Sequence, residues 1–334
     1  MRAVIVAGGS LTVADRPAPE PGPGEVRVRV HGAGLNRADL LQRAGGYPAP
    51  PGVPADIPGL EFAGTVDAIG PHVEGSEVVG LATGARVFGI TGGGAQAEYV
   101  CVPTSHCAAV PDGLDLVKMG GVPEAFVTAH DALVMRAQFA AGEWVLIHAV
   151  GSGVGTAGLQ LARALGARVA GTARTPDKLE RCRALGLDHG IVPIFTDGEL
   201  DGPATAAAIL AAAGAGIDVV LDLVGGRYVE VDVDAAALKG RIVLIGALAG
   251  TRAQLSVLAV MGKRLTIAGT VLRARDIAEK ASATEAFARD VVPLLASRTV
   301  APVVDAVLPI DEAFVAYELL ASDATFGKVI LDCR

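Results

Sequence analysis

The sequence predicts an α/β protein in which a β-rich first domain precedes a doubly wound parallel sheet, and three observations lead there. Strict alternation over 25–31 puts Val26, Val28 and Val30 on one face and Arg27, Arg29 and His31 on the other, the pattern of a half-buried antiparallel strand. From Gly121 onward, short apolar runs alternate with segments of helical composition, which implies a parallel sheet with helices on both faces. Between 144 and 174, strand, glycine-rich turn, helix and strand follow one another directly. At 334 residues the chain is too long for one ordinary core, and length favours two domains.

Taken in order, the alternating strand lies between proline-rich connectors at 17–23 and 48–58. Apolar runs punctuated by glycine follow at 62–69, 85–90 and 97–102, and little helix is expected across the first ~120 residues. The run Trp144 to Val150 has strand length and is bounded by Gly142 and Gly151. Further strands are expected at 167–172, 217–224, 241–247 and 265–272. A helix at 311–320 and a strand at 328–331 close the chain.

Strand, glycine turn and helix in immediate succession form a dinucleotide-binding unit. Glycine lets the backbone come close to a pyrophosphate, whose charge is met by free N–H groups at the helix N-terminus. Gly153, Gly155 and Gly158 spell GxGxxG, although counting from Val150 leaves the first and third fingerprint positions without glycine. Ser152, Gly153, Val154 and Gly155 are therefore the candidate phosphate cradle. The next strand selects the cofactor. NAD-preferring sheets carry an acid about 20 residues past the first glycine, whereas this strand ends Thr172-Ala173-Arg174 without one. Thr175 followed by Pro176 and Asp177 reads as an N-cap with proline at the first helical position. Thr172, Arg174, Thr175 and Lys178 then surround a helix N-terminus suited to a 2′-phosphate, and NADPH is the expected cofactor.

Composition excludes several classes. A net charge of −8 with no basic block argues against nucleic acid as the main partner. No run of about 18 apolar residues is present to span a membrane, and the apolar start Ala3–Ala7 is too short for a signal peptide. Cys101, Cys107, Cys182 and Cys333 are scattered without CxxC spacing, so reduced thiols and a cytoplasmic enzyme are expected. His31, His72, His106, His130, His148 and His189 are equally dispersed, and no metal site is expected.

Several stretches carry a resemblance. Leu35-Asn36-Arg37-Ala38-Asp39-Leu40, Pro58-Gly59-Leu60-Glu61, Pro123-Glu124-Ala125-Phe126-Val127-Thr128-Ala129, Ile147-His148-Ala149, Leu272-Arg273-Ala274-Arg275-Asp276 and Phe326-Gly327-Lys328-Val329-Ile330-Leu331 resemble the zinc-independent quinone oxidoreductases of the medium-chain dehydrogenase/reductase superfamily. The p53-inducible quinone oxidoreductase and zeta-crystallin-like branch is the most similar. The resemblance covers essentially the whole chain. It implies a GroES-like β-rich catalytic domain at 1–120 and 273–334 and a Rossmann cofactor domain at 121–272.

Zinc-dependent members place Cys where Asn36 stands and His where Leu60 stands, and carry a four-cysteine lobe that is missing here. That leaves Glu61 and Asp39 without a tetrahedral donor set. The resemblance places Asn36 and Tyr47 beside the nicotinamide as the catalytic pair, able to hydrogen-bond a carbonyl. It packs Thr128, Val271 and Leu272 around the ring and brings Gly246 and Ala247 close to the cofactor. Pro193 stands where the family has a phosphate-contacting tyrosine. The implied activity is NADPH-dependent reduction of quinones, with enoyl or 2-alkenal reduction or a non-catalytic NADPH-binding role as alternatives. No His–Asp relay or carboxylate pair can be assigned from sequence, which favours one-electron delivery to ortho-quinones. The apolar edge expected at 265–272 implies a homodimer.

Overall fold

The computed structural model describes residues 1–71 and 81–334, so His72 lies outside the described residues. Contacts divide the chain into Met1–Val127 with Leu272–Arg334, and Thr128–Val271. The division falls within the helix Pro123–His130 and assigns Leu272 to the first unit.

In the first unit the alternating strand runs over Glu25–Gly34 and is central to a mostly antiparallel sheet. It pairs antiparallel with Glu61–Ile69, Tyr99–Pro103 and the chain's last strand, Lys328–Asp332. Val26, Val28 and Val30 are fully buried with Phe62, Val87 and Tyr317, which follows from the period of two: every second side chain shares the core face. This unit also holds helix Arg37–Arg43, begun at Asn36, whose N–H donates to the Asp39 carboxylate at 2.7 Å. The expected C-terminal helix spans Ala313–Ala321 after a single 3-10 turn, Ile310–Glu312.

The second unit is a six-stranded parallel sheet. Its order from edge to edge is His189–Ile191, Arg168–Thr172, Trp144–Ile147, Ile217–Asp222, Ala236–Leu244 and Thr266–Gly269. In chain order this is third, second, first, fourth, fifth, sixth, and the direction of winding reverses between Trp144–Ile147 and Ile217–Asp222. Ligands of such sheets bind at the carboxyl ends of the strands beside that reversal. Leu146, Val220 and Ile242 are fully buried, as expected of strands covered on both faces.

Several boundaries differ from the sequence reading, among them the sixth strand, which is Thr266–Gly269 against an expected 265–272. The first strand of this sheet ends at Ile147 rather than Val150, because Ala149 takes φ 50° and turns the chain out of the sheet. Gly153, Gly155 and Gly158 lie within the helix Gly153–Ala164, not in a turn ahead of it. The fifth strand begins early, at Ala236, and ends at Leu244, short of Gly246.

Candidate active site

The cofactor half is built at the start of the helix Gly153–Ala164. Ser152 caps it: its Oγ accepts the Gly155 N–H at 3.1 Å and its carbonyl accepts the Thr156 N–H at 2.8 Å. Gly153 and Val154, the first two residues of the helix, have N–H groups with no intrahelical acceptor. A Cβ on Gly155 would stand 2.5 Å from the Ala149 carbonyl oxygen and 2.7 Å from that of Val150. Glycine thus lets the helix press against the chain leaving the strand, with its N-terminus at the sheet's carboxyl edge. This cradle fits the pyrophosphate of a dinucleotide.

The remaining candidates fall into two groups. Arg174 and Thr175 are exposed after the buried Ala173, which directly follows the second strand, where an acid would select NAD. Thr175 is the N-cap of helix Pro176–Arg183, with extended backbone and no side-chain capping bond, and Lys178 lies in that helix. Gly246 is drawn tightly under the preceding loop, since a Cβ there would meet the Leu223 carbonyl oxygen at 2.3 Å. Ala247 and Val271 are exposed, while Thr128 and Leu272 are buried.

Thr172 is committed elsewhere. Its hydroxyl lies 2.8 Å from His148 Nδ1, and His148 Nε2 lies 2.7 Å from Asp232 Oδ1, all three residues being buried. Burial opposes charge on His148, but Asp232 and Asp222 raise its pKa overall. Burial pushes the Asp232 carboxyl up to about 6 against the pull of His148. The sequence reading found no His–Asp pair, and the structure holds one. Asp222 Oδ1 accepts the Val224 and Gly225 N–H groups at 2.8 Å each, so this acid fixes the loop after the fourth strand.

In the first unit Asn36 sits in a buried ionic cluster. Its Nδ2 donates to Glu61 Oε1 at 3.0 Å and its Oδ1 accepts from Lys328 Nζ at 2.8 Å. Lys328 also donates to the Leu35 carbonyl at 2.7 Å and to Glu61, and Glu61 Oε2 accepts the Glu124 N–H at 2.9 Å. The amide is thereby saturated by protein, so Asn36 orders the cluster instead of offering a free donor. Asp39 accepts from Asn36 N–H, Gly59 N–H and Gln96, and burial still pushes it up to about 6. Glu124 is pushed up to about 8, first by burial and then by the charge of Glu61, against the opposing pull of Lys328 and Lys280.

Tyr47 is held by Arg273. The guanidinium lies 4.7 Å from the tyrosine ring centroid and donates to its backbone carbonyl at 2.9 Å, to the Gly92 carbonyl at 2.8 Å and to Gln42 at 2.6 Å. Buried Arg273 therefore ties together two loops and a helix, and burial of the Tyr47 phenol raises its pKa. Sequence reasoning assigned no role to Glu61, Glu124, Arg273 or Lys328. The matched motifs around them were the available signal. Among the described residues no group of three or more His, Cys, Asp and Glu side chains is placed to hold a metal ion, and Leu60 is buried.

Residues 22–112 match the alcohol dehydrogenase GroES-like domain and residues 153–289 the zinc-binding dehydrogenase family. The quinone oxidoreductase of Sus scrofa is 31% identical over 309 residues, covering 91% of this chain and 87% of that protein. The chain belongs to the medium-chain dehydrogenase/reductase superfamily. The quinone oxidoreductase from Thermus thermophilus, solved also in complex with NADPH, is 32% identical with a TM-score of 0.80, covering 99% of this chain and 100% of that one. Polyketide synthase GfsB of Streptomyces halstedii is 39% identical over 217 residues, or 65% of this chain, which spans only 4% of that synthase's length. The chain is thus similar to quinone oxidoreductases over nearly its whole length, and no helix among the described residues is long and apolar enough to cross a membrane.

Proposed function

We propose that this medium-chain reductase uses NADPH to reduce quinones and does so without zinc. The observation that carries the reading is the Asn36–Glu61–Lys328 cluster. An amide and an ammonium occupy the Glu61 carboxylate, and Asn36 and Leu60 stand where the resemblance puts the thiolate and the imidazole of metal-dependent members. With no soft donors to hold a Lewis acid, the site suits an acceptor that is already electrophilic. When bound, NADPH supplies the hydride. Gly153, Val154 and Gly155 would hold its pyrophosphate, and Arg174, Thr175 and Lys178 its 2′-phosphate. Arg273 holds Tyr47, the residue proposed to meet the acceptor, and Asn36 binds both Glu61 and Lys328.

A panel of ortho- and para-quinones, 2-alkenals and an enoyl thioester, followed by NADPH absorbance, tests this reading. Ortho-quinones should turn over fastest, simple alcohols should not, and a chelator should leave the rate unchanged. Turnover of the enoyl thioester alone would move the assignment to an enoyl reductase, a reading favoured by the similarity to a polyketide synthase. Binding of NADPH without turnover of any acceptor would leave a non-catalytic binder.

A homodimer is part of the proposal. The strand Thr266–Gly269 pairs only with Ala236–Leu244 among the described residues and forms an edge of the sheet. The preceding helix Val257–Lys263 exposes 68% of Val257, 80% of Leu258 and 65% of Met261. An apolar helix beside an open strand edge is the kind of surface that a second copy covers. Light scattering at micromolar concentration should give twice the chain mass, and Leu258→Asp should reduce it to one. A wild-type monomer would refute the dimer.

A further inference from the structure

A row of buried polar side chains crosses the parallel sheet of the second unit at its carboxyl edge. Ile147 pairs with Gly171 on one side and Leu221 on the other. His148, Thr172 and Asp222, each one residue further on, therefore stand abreast at the ends of three adjacent strands. Thr172 meets His148 Nδ1, and His148 Nε2 donates to Asp232 Oδ1 from the helix Tyr228–Ala235. The Tyr228 ring lies edge-on to His148 with 4.9 Å between centroids. The charged groups that face His148 are Asp232 and Asp222, and those that face Tyr228 are Arg174 and Asp222. Asp232 and Asp222 lie within hydrogen-bonding reach of each other, yet Oδ2 of each is buried without a donor. Two acids that close do not both ionise, and one proton held between them supplies the donor that each lacks.

Asp222 also grips the backbone that crosses this edge. Its carboxylate takes the Val224 and Gly225 N–H groups, and its backbone carbonyl takes those of Ile245 at 2.8 Å and Gly246 at 3.2 Å. Gly225 and Gly226 turn the chain at φ 68° and 58°. A Cβ on them would stand 2.7 Å from the Gly246 carbonyl oxygen and 2.6 Å from that of Ala249. The loop after the fourth strand is thus locked onto the loop after the fifth, beside the reversal of winding where sheets of this kind bind their ligands.

We propose that His148 and Asp232 are positioning residues for the dinucleotide: with a proton shared between Asp232 and Asp222, they hold the loop 223–226 in the form that receives the cofactor. The inference rests on the NADPH reading above and deepens it. Both residues act through Asp222. His148 fixes Asp232 Oδ1, Thr172 fixes the imidazole, and Asp232 is thereby presented to Asp222 in one orientation. When the shared proton leaves, two carboxylates face each other where neither is solvated, and the repulsion draws Asp222 from the Val224 and Gly225 N–H groups. The loop then loses its anchor, and an arriving cofactor must order it again at the expense of affinity.

The test is fluorescence titration of NADPH into the wild type, Asp232→Asn and Asp232→Val from about pH 5 to about pH 8. In Asp232→Asn the amide oxygen still accepts from His148, and the amide N–H donates permanently to Asp222 in place of the shared proton. Its Kd should stay within about twofold of the wild type at the acid end. As pH rises the wild type should weaken relative to Asp232→Asn, by about tenfold at the alkaline end. The ratio of the two cancels the titration of the cofactor's own phosphate. Asp232→Val, which neither accepts nor donates, should bind about tenfold more weakly than Asp232→Asn throughout. The cofactor-free protein gives a second readout. Burial raises the folded Asp232 carboxyl to about 6, above its unfolded value. Relative to Asp232→Asn, the wild type should therefore lose thermal stability as pH rises from the ordinary aspartate range to about 6. A Kd ratio that is flat with pH, melting curves that run parallel, or Asp232→Val binding as tightly as Asp232→Asn overturns the positioning role alone. Should Asp232→Val fail to fold, the ratio and the melting comparison still decide. A wild type that binds no NADPH overturns the cofactor reading and the inference with it.

Discussion

Replacing Lys328 with methionine should destabilise the first unit by about 3–5 kcal/mol. The ammonium is 5% exposed and the Glu61 carboxylate fully buried, so removing one partner strands a charge in a medium that cannot solvate it. Lys328 also satisfies the Leu35 carbonyl and the Asn36 amide oxygen, and both lose their donor in the variant. At roughly 2–4 °C per kcal/mol for a unit of this size, the melting temperature should fall by roughly 6–20 °C. Urea unfolding followed by circular dichroism measures the loss. The double variant Lys328→Met with Glu61→Leu should recover only part of it: the stranded charge is gone, but the Leu35 carbonyl, the Asn36 amide and the Glu124 N–H stay without those partners. A loss below about 1 kcal/mol in the single variant would mean that the pair is worth no more than an exposed one.

The second large effect concerns the cofactor. Wild-type protein should bind NADPH at least about tenfold more tightly than NADH, a difference of about 1.4 kcal/mol. Arg174→Ala should remove most of that margin while leaving NADH within about twofold. Arg174 is exposed, so its contribution is screened by salt, and the NADPH preference should narrow as ionic strength rises. Fluorescence titration of both cofactors at two salt concentrations reads all three expectations. Equal wild-type affinity for the two cofactors would remove the basis for the NADPH assignment. The buried Ala173 sharpens the point, because this strand end offers no carboxylate to meet a ribose 2′-hydroxyl.

Much of the fold was legible in the sequence because its signals are local. Alternation at Val26, Val28 and Val30 specified a strand and its buried face. Thr175-Pro176 specified the start of a helix, and the glycine-rich stretch after the 144–150 run announced a strand-to-helix junction, although Gly153, Gly155 and Gly158 belong to the helix itself. These patterns depend on the periods of helix and strand and on the backbone freedom of glycine, which neighbouring residues reveal by themselves.

What only the tertiary structure decided is the identity of the residues that work together. Asn36 and Glu61 are 25 residues apart, Glu61 and Glu124 63 apart, and Glu61 and Lys328 267 apart, yet they form one cluster. His148 and Asp232, 84 residues apart, meet only because their elements pack in the same parallel-sheet unit. The state of Asn36 reversed for the same reason. As a residue type it offers a free amide, but Glu61 and Lys328 consume that amide once the last strand pairs with the strand Glu25–Gly34. The protonation of Glu124 likewise depends on burial and on charges contributed by distant segments, and a linear sequence carries neither quantity.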